Sequence, residues 1–180
     1  LHRGKLMARL TPRSPMIPAG RRVLFVCTGN ICRSPAAEAI ARGLASSHGL
    51  VGWTFDSAGT YPGHAGEEAQ PNSRALCARL GFPITHRARG LRKTDGAQFD
   101  LLIGLAQEHV RQLKGHFPEQ AGKVSLMRDW DPASVGLDVE DPYGEPYASY
   151  EEMGRVLIPA IRGLLGLAPS SSSDGGSRRP

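Results

Sequence analysis

The chain predicts an α/β fold: a three-layer, doubly wound four-stranded parallel sheet with helices on both faces and an anion-binding loop after the first strand. Three observations carry this. Val23-Leu24-Phe25-Val26 is a short apolar run of β-favouring residues that enters Cys27 and the loop Thr28-Gly29-Asn30-Ile31-Cys32-Arg33, and Ser34-Pro35 then opens an alanine-rich helical stretch. A second strand follows within about forty residues, the spacing of a right-handed βαβ unit. Phe99 to Leu105 is nearly continuous in apolar character, as a central parallel strand covered on both faces must be.

The remaining elements follow in order. Ser34 is expected to cap the first helix, with Pro35 tolerated in its opening turn. Ala36, Ile40 and Leu44 recur on one face of that helix, and His48-Gly49 closes it. Trp53 to Gly59 alternates large apolar and polar residues, a strand that ends at the same sheet edge as Cys27. Gly59 to Asn72 is a loop, and Ser73 to Leu80 is a short helix stopped by Gly81 and Pro83. Glu108 to Lys114 is helical, Val124 to Met127 is the fourth strand, and Asp129 to Pro146 is loop. Tyr147 to Leu167 forms the last helix, with Met153, Val156, Leu157, Ala160, Ile161, Leu164 and Leu165 on one stripe and Pro159 expected to kink or split it.

At 180 residues one domain is expected, covering 22–167. Residues 1–21 form a basic extension without the continuous apolar core of a signal peptide, and residues 168–180 are rich in Ser, Gly and Pro. Both are expected to be disordered. No apolar run reaches membrane-spanning length. Three cysteines without zinc-ligand spacing indicate neither a disulfide framework nor a metal ribbon, and suit a reducing cytoplasm. The net charge of +5 is carried partly by the ends, and no aromatic-basic motif accompanies it, so nucleic acid is not the expected partner. The positive balance suits phosphorylated or acidic substrates instead.

The chemistry gathers at Cys27. A lone cysteine is more often a buried structural thiol. This one lies at a strand's carboxyl end, facing a tight loop and a helix amino end whose amides and dipole attract anions. Those features, with the Arg33 guanidinium, favour the thiolate and also bind a phosphate dianion, to which Arg33 offers a planar fork. A thiolate facing a phosphate monoester can attack in line, provided an acid protonates the departing oxygen. Asp141, in Glu140-Asp141-Pro142-Tyr143-Gly144, is the candidate: Pro142 stiffens the loop, and Tyr143 can wall a slot for a flat ring. Asp-Pro alone is usually a turn starter. Asp129 and Asp131 compete, but no aromatic follows two residues later.

The run Cys27-Thr28-Gly29-Asn30-Ile31-Cys32-Arg33-Ser34-Pro35, with Asp141-Pro142-Tyr143 far downstream, resembles the low-molecular-weight protein tyrosine phosphatase family from Arg22 to Leu167. The resemblance implies phosphotyrosine proteins or peptides as substrates, phosphate or sulfate as ligands of the loop, no metal or cofactor, no membrane, and a monomer. It implies that Asn30 and Ser34 hold the loop open and steady the thiolate, that Ser57 supports Asn30, and that His86, in His86-Arg87-Ala88-Arg89, is a further support.

Three departures stand out. Gly63-His64 stands where many relatives carry a mouth aromatic; either Tyr61 or His64 fills that place or the mouth is wider. Leu105-Ala106 replaces the Met-Asp of some relatives, and Gly144 replaces a second tyrosine. Cys32 can either pack under the loop or pair with Cys27 on oxidation.

Related loops serve other enzymes. Thioredoxin-coupled arsenate reductases relay a disulfide through later cysteines, yet no cysteine follows Cys77, which reads as core. Protein arginine phosphatases carry threonine where Ile31 stands, so an apolar Ile31 beside Tyr143 favours an aromatic substrate. A non-enzymatic phosphate-docking module would not need nucleophile, arginine and acid together.

Overall fold

The structure, a computed structural model, describes residues 19–170. The expected terminal extensions therefore lie largely outside the described residues. Strands β1 (Arg22–Cys27), β2 (Thr54–Gly59), β3 (Leu101–Gly104) and β4 (Val124–Leu126) form one parallel sheet in the order β2-β1-β3-β4. The α/β expectation holds.

Alternation along β1 builds two cores. Val23, Phe25 and Cys27 face one layer with α1 (Arg33–Ser47), α2 (Pro71–Arg79) and α5 (Tyr147–Leu164). Leu24 and Val26 face the other, with Leu113 of α4 (Gln107–His116) and Phe117. β1 has no exposed face, which is why it reads as an unbroken apolar run. A one-turn helix, α3 (Asp95–Gln98), precedes β3.

Element ends differ from expectation for local reasons. α1 begins at Arg33, with Cys32 at its cap and no side-chain cap, so Ser34 does not cap it. The Ser34 side chain is wholly buried and used elsewhere. α2 starts at Pro71, whose missing N–H costs nothing at a first helical position. β3 loses Phe99 and Asp100 because Phe99 closes α3, while Asp100 accepts the Arg22 backbone N–H at 2.8 Å. Through Pro159 α5 runs as one helix, so the expected split does not occur. It ends where Gly166 takes φ 68°, a left-handed turn suited to glycine.

The chain winds outward from β1 to β2, then returns to place β3 on β1's other side. That reversal opens a crevice beyond the carboxyl ends of β1 and β3, where ligands bind in such sheets. Cys27 ends β1 there.

Candidate active site

The loop from Cys27 to Arg33 is pinned from outside by its carbonyls. The oxygens of Cys27, Thr28 and Ile31 accept N–H groups of Thr60, Tyr61 and Gln70 at 2.9, 2.9 and 2.8 Å, and Cys32 oxygen accepts the Ser73 hydroxyl at 3.3 Å. Because C=O and the next N–H point oppositely across a trans peptide plane, outward carbonyls turn the amides of Thr28, Gly29, Cys32 and Arg33 to the other side. The close seating needs Gly59, where a Cβ would lie 2.5 Å from the Thr28 carbonyl oxygen.

Asn30 is the hub beneath the loop. It is buried and holds φ 57°, a left-handed conformation that asparagine tolerates better than most residues. Its Oδ1 accepts the Arg89 backbone N–H at 2.8 Å and His86 Nε2–H at 2.7 Å. Its Nδ2 donates to Ser34 Oγ at 2.8 Å and Ser57 Oγ at 2.9 Å. Ser57 in turn donates to Glu38 Oε2 at 2.7 Å. Since Ser34 oxygen already accepts from Asn30, its own proton is free for Cys27 Sγ, 3.0 Å away. Burial pushes His86 below its ordinary value, against the pull of Glu38 and Asp56.

Arg33, nearly buried at the head of α1, joins this loop to the Asp141 loop. Its NH1 donates to the Val139 carbonyl at 3.1 Å and its NH2 to Asp141 Oδ2 at 3.2 Å. The Asp141 loop is docked on the crevice by Val139 N–H on Leu105 oxygen and by Asp138 Oδ1 accepting Gln107 N–H, both at 2.8 Å. Pro142 is buried, Tyr143 is exposed, and the Tyr143 N–H closes a turn on Asp141 Oδ1 at 3.2 Å.

These parts converge. Cys27, Thr28, Gly29, Ile31, Cys32, Arg33, Tyr61, His64, Asp141 and Tyr143 line one cavity of about 130 Å³. Its mouth is walled by Tyr143 and by an edge-to-face pair, Tyr61 and His64, with ring centres 6.0 Å apart. Thiol, guanidinium, carboxyl and aromatic walls thus share a single opening, the arrangement that in-line attack on an aryl phosphate would use.

Known proteins agree. Residues 22–171 match the family described as low molecular weight phosphotyrosine protein phosphatase. The chain belongs to this family. The phosphatase is 42% identical over 149 residues to a low molecular weight protein-tyrosine-phosphatase of Streptomyces coelicolor, covering 80% of this chain and 91% of that one. Its fold is similar to a protein tyrosine phosphatase of Entamoeba histolytica, crystallised with Hepes in the active site (TM-score 0.77, 29% identity, 80% and 94% covered). It is also similar to an arginine phosphatase of Geobacillus stearothermophilus (TM-score 0.73, 28% identity, 81% and 91% covered).

The phosphate loop, Arg33, Asp141, Tyr143, Tyr61 and His64 line or form this cavity, with Asn30, Ser34, Ser57 and His86 beneath it. Tyr61 and His64 both occupy the mouth, filling the place left at Gly63. Asp129 and Asp131 instead accept local amides, of Gly136 and Ala133, and do not line the cavity. Cys32 packs under the loop with Sγ 3.8 Å from the Tyr150 hydroxyl, and burial pushes its thiol up to about 11. Cys77 is pushed up to about 12 by burial in the core.

Glu38 and His109 escaped the sequence reading. Glu38 had one available signal, since it stands one helical turn after Ser34 on the same face of α1. Among the described residues, Glu38, Asp56 and His86 bring three possible metal ligands within 4.8 Å of one another. Both carboxylates are already paired, Glu38 with Arg42 and Ser57, and Asp56 with Arg89 at 2.7 Å. A cation there would have to displace two guanidinium groups.

At Ala106, where the chain has no acid, two other side chains hold the backbone amides. Asp138 caps the Gln107 amide, and His109 Nδ1 accepts the Ala106 N–H at 3.1 Å. No helix among the described residues is long and apolar enough to cross a membrane.

Proposed function

We propose that this phosphatase hydrolyses phosphotyrosine in proteins through a phosphocysteine on Cys27, with Arg33 binding phosphate and Asp141 as general acid and base. The observation that carries the reading is the shared cavity of Cys27, Arg33, Asp141 and Tyr143. The Cys27 thiolate attacks phosphorus while Arg33 and the inward amides of the loop hold the equatorial oxygens. The bond from phosphorus to the phenolic oxygen breaks, and Asp141 gives that oxygen its proton. Asp141, now ionised, takes a proton from water, whose oxygen attacks the phosphocysteine. The sulfur–phosphorus bond then breaks and restores the thiolate, steadied by the Ser34 hydroxyl at 3.0 Å. Positioning and charge stabilisation supply most of such a barrier reduction.

A protein arginine phosphatase is the second reading, supported by the fold likeness to one. Ile31, apolar and lining the cavity beside Tyr143, favours the aromatic substrate. The working form is a cytoplasmic monomer that takes inorganic phosphate or sulfate as a competitive ligand. Turnover of phosphotyrosine and phosphoarginine peptides by wild type, Cys27→Ser and Asp141→Ala tests this. Cys27→Ser is expected to abolish turnover, and Asp141→Ala to lower kcat by about 10² to 10⁴. A loss under about threefold for Asp141→Ala would remove that residue from the acid role.

A further inference from the structure

We propose that His109 is a positioning residue for this reaction: from the head of α4 it turns the Thr28 hydroxyl so that its proton serves a substrate oxygen in the cavity. The inference rests on the phosphocysteine reading above and adds to it a donor that the loop amides and Arg33 do not supply.

His109 is 1% exposed and stands in the first turn of α4, directly after β3. β3 neighbours β1, so the heads of α4 and of the Cys27 loop face each other across the crevice. The imidazole spans them. Ala106 N–H can only donate, so Nδ1, 3.1 Å away, must carry a lone pair. The ring proton therefore sits on Nε2, which donates to Thr28 Oγ1 at 2.9 Å. With that oxygen already accepting, the Thr28 hydroxyl proton must point elsewhere, and it has no acceptor among the described residues. Thr28 lines the cavity immediately after Cys27. An O–H held there is a donor for an oxygen of the transferring phosphoryl group.

Capping alone does not account for a histidine. A side chain three residues into a helix closes the same amide when it is Glu or Gln, the usual choice. What the imidazole adds is a donor on the opposite ring edge, rigidly opposed to the acceptor. The neutral form is essential, because a proton on Nδ1 would confront the Ala106 amide. Burial, aided by the Arg33 charge and opposed by Asp141 and Asp138, pushes His109 down to about 4 and keeps it neutral at working pH.

A double-mutant cycle on kcat/KM for a phosphotyrosine peptide tests the pair. Thr28→Val keeps the shape and removes the hydroxyl; Thr28→Ser restores it. His109→Asn keeps an acceptor for Ala106 but is too short to reach Thr28. Thr28→Val and His109→Asn should each lower kcat/KM about tenfold, the worth of one hydrogen bond to a charged oxygen. Thr28→Ser should stay within about twofold of wild type, and the double variant should be no worse than Thr28→Val, since His109 acts only through Thr28.

Multiplying losses in the double variant, or a Thr28→Ser as poor as Thr28→Val, would overturn the proposal. If His109→Asn fails to fold, the two Thr28 variants still decide whether the hydroxyl acts. Undiminished turnover by Cys27→Ser would instead refute the phosphocysteine reading itself.

Discussion

Replacing Asn30 dissects the support beneath the loop. Its side chain makes four hydrogen bonds, two accepted and two donated, and it occupies a left-handed φ of 57°. At about 1 kcal/mol net per bond, removing all of them costs roughly 4 kcal/mol. Ser34 and Ser57 each keep a second partner, Cys27 and Glu38, which reduces that to about 3 kcal/mol. Asn30→Gly should show this loss alone, because glycine adopts positive φ freely. Asn30→Ala should lose about 1 kcal/mol more, from the left-handed strain on a Cβ. Asn30→Asp keeps both acceptor bonds but cannot donate to Ser34, so the serine proton is no longer committed to Cys27. It should fold better than Asn30→Gly yet lose kcat. Urea unfolding and p-nitrophenyl phosphate turnover on the same preparations read both effects, with melting shifts of about 2–4 °C per kcal/mol at this size. An Asn30→Ala protein within about 1 kcal/mol of wild type and fully active would refute the reasoning.

Acid should destabilise the fold through His109. Its folded value of about 4 lies below its ordinary 6.5, so the unfolded chain takes the proton first. The contribution is complete above pH 6.5 and is lost as pH falls through about 4, its full size being on the order of 3 kcal/mol. Urea midpoints at pH 7 and 4.5 should lie further apart in wild type than in His109→Asn; an equal or smaller separation in wild type would refute this account. Ile31→Thr should raise the ratio of phosphoarginine to phosphotyrosine turnover, because it exchanges an apolar contact for a hydroxyl in the cavity wall. An unchanged ratio in paired peptide assays would show that Ile31 does not set the preference.

Much of the architecture was legible because it is local. Val23 to Val26 must be covered on both faces, and the loop from Cys27 to Arg33 keeps strand, turn and helix start contiguous. Ser34 marks where local reasoning failed: serine before proline signals a cap, but the side chain is drawn to the buried contact with Cys27 and Asn30. The split expected at Pro159 does not occur either, and α5 packs as one helix against α1 and α2.

The sequence by itself determined the sheet and the loop after its first strand, and it marked Cys27, Arg33 and Asp141 as the candidates for nucleophile, phosphate-binding arginine and acid, because each is written in neighbouring residues of distinctive chemistry. Only the tertiary structure decided which distant groups meet them. His109 reaches Thr28, Glu38 receives Ser57, and Arg33 meets Asp141 across 108 positions of chain. Such pairings depend on strand order and on which helix faces which strand, and no local pattern of residues encodes either.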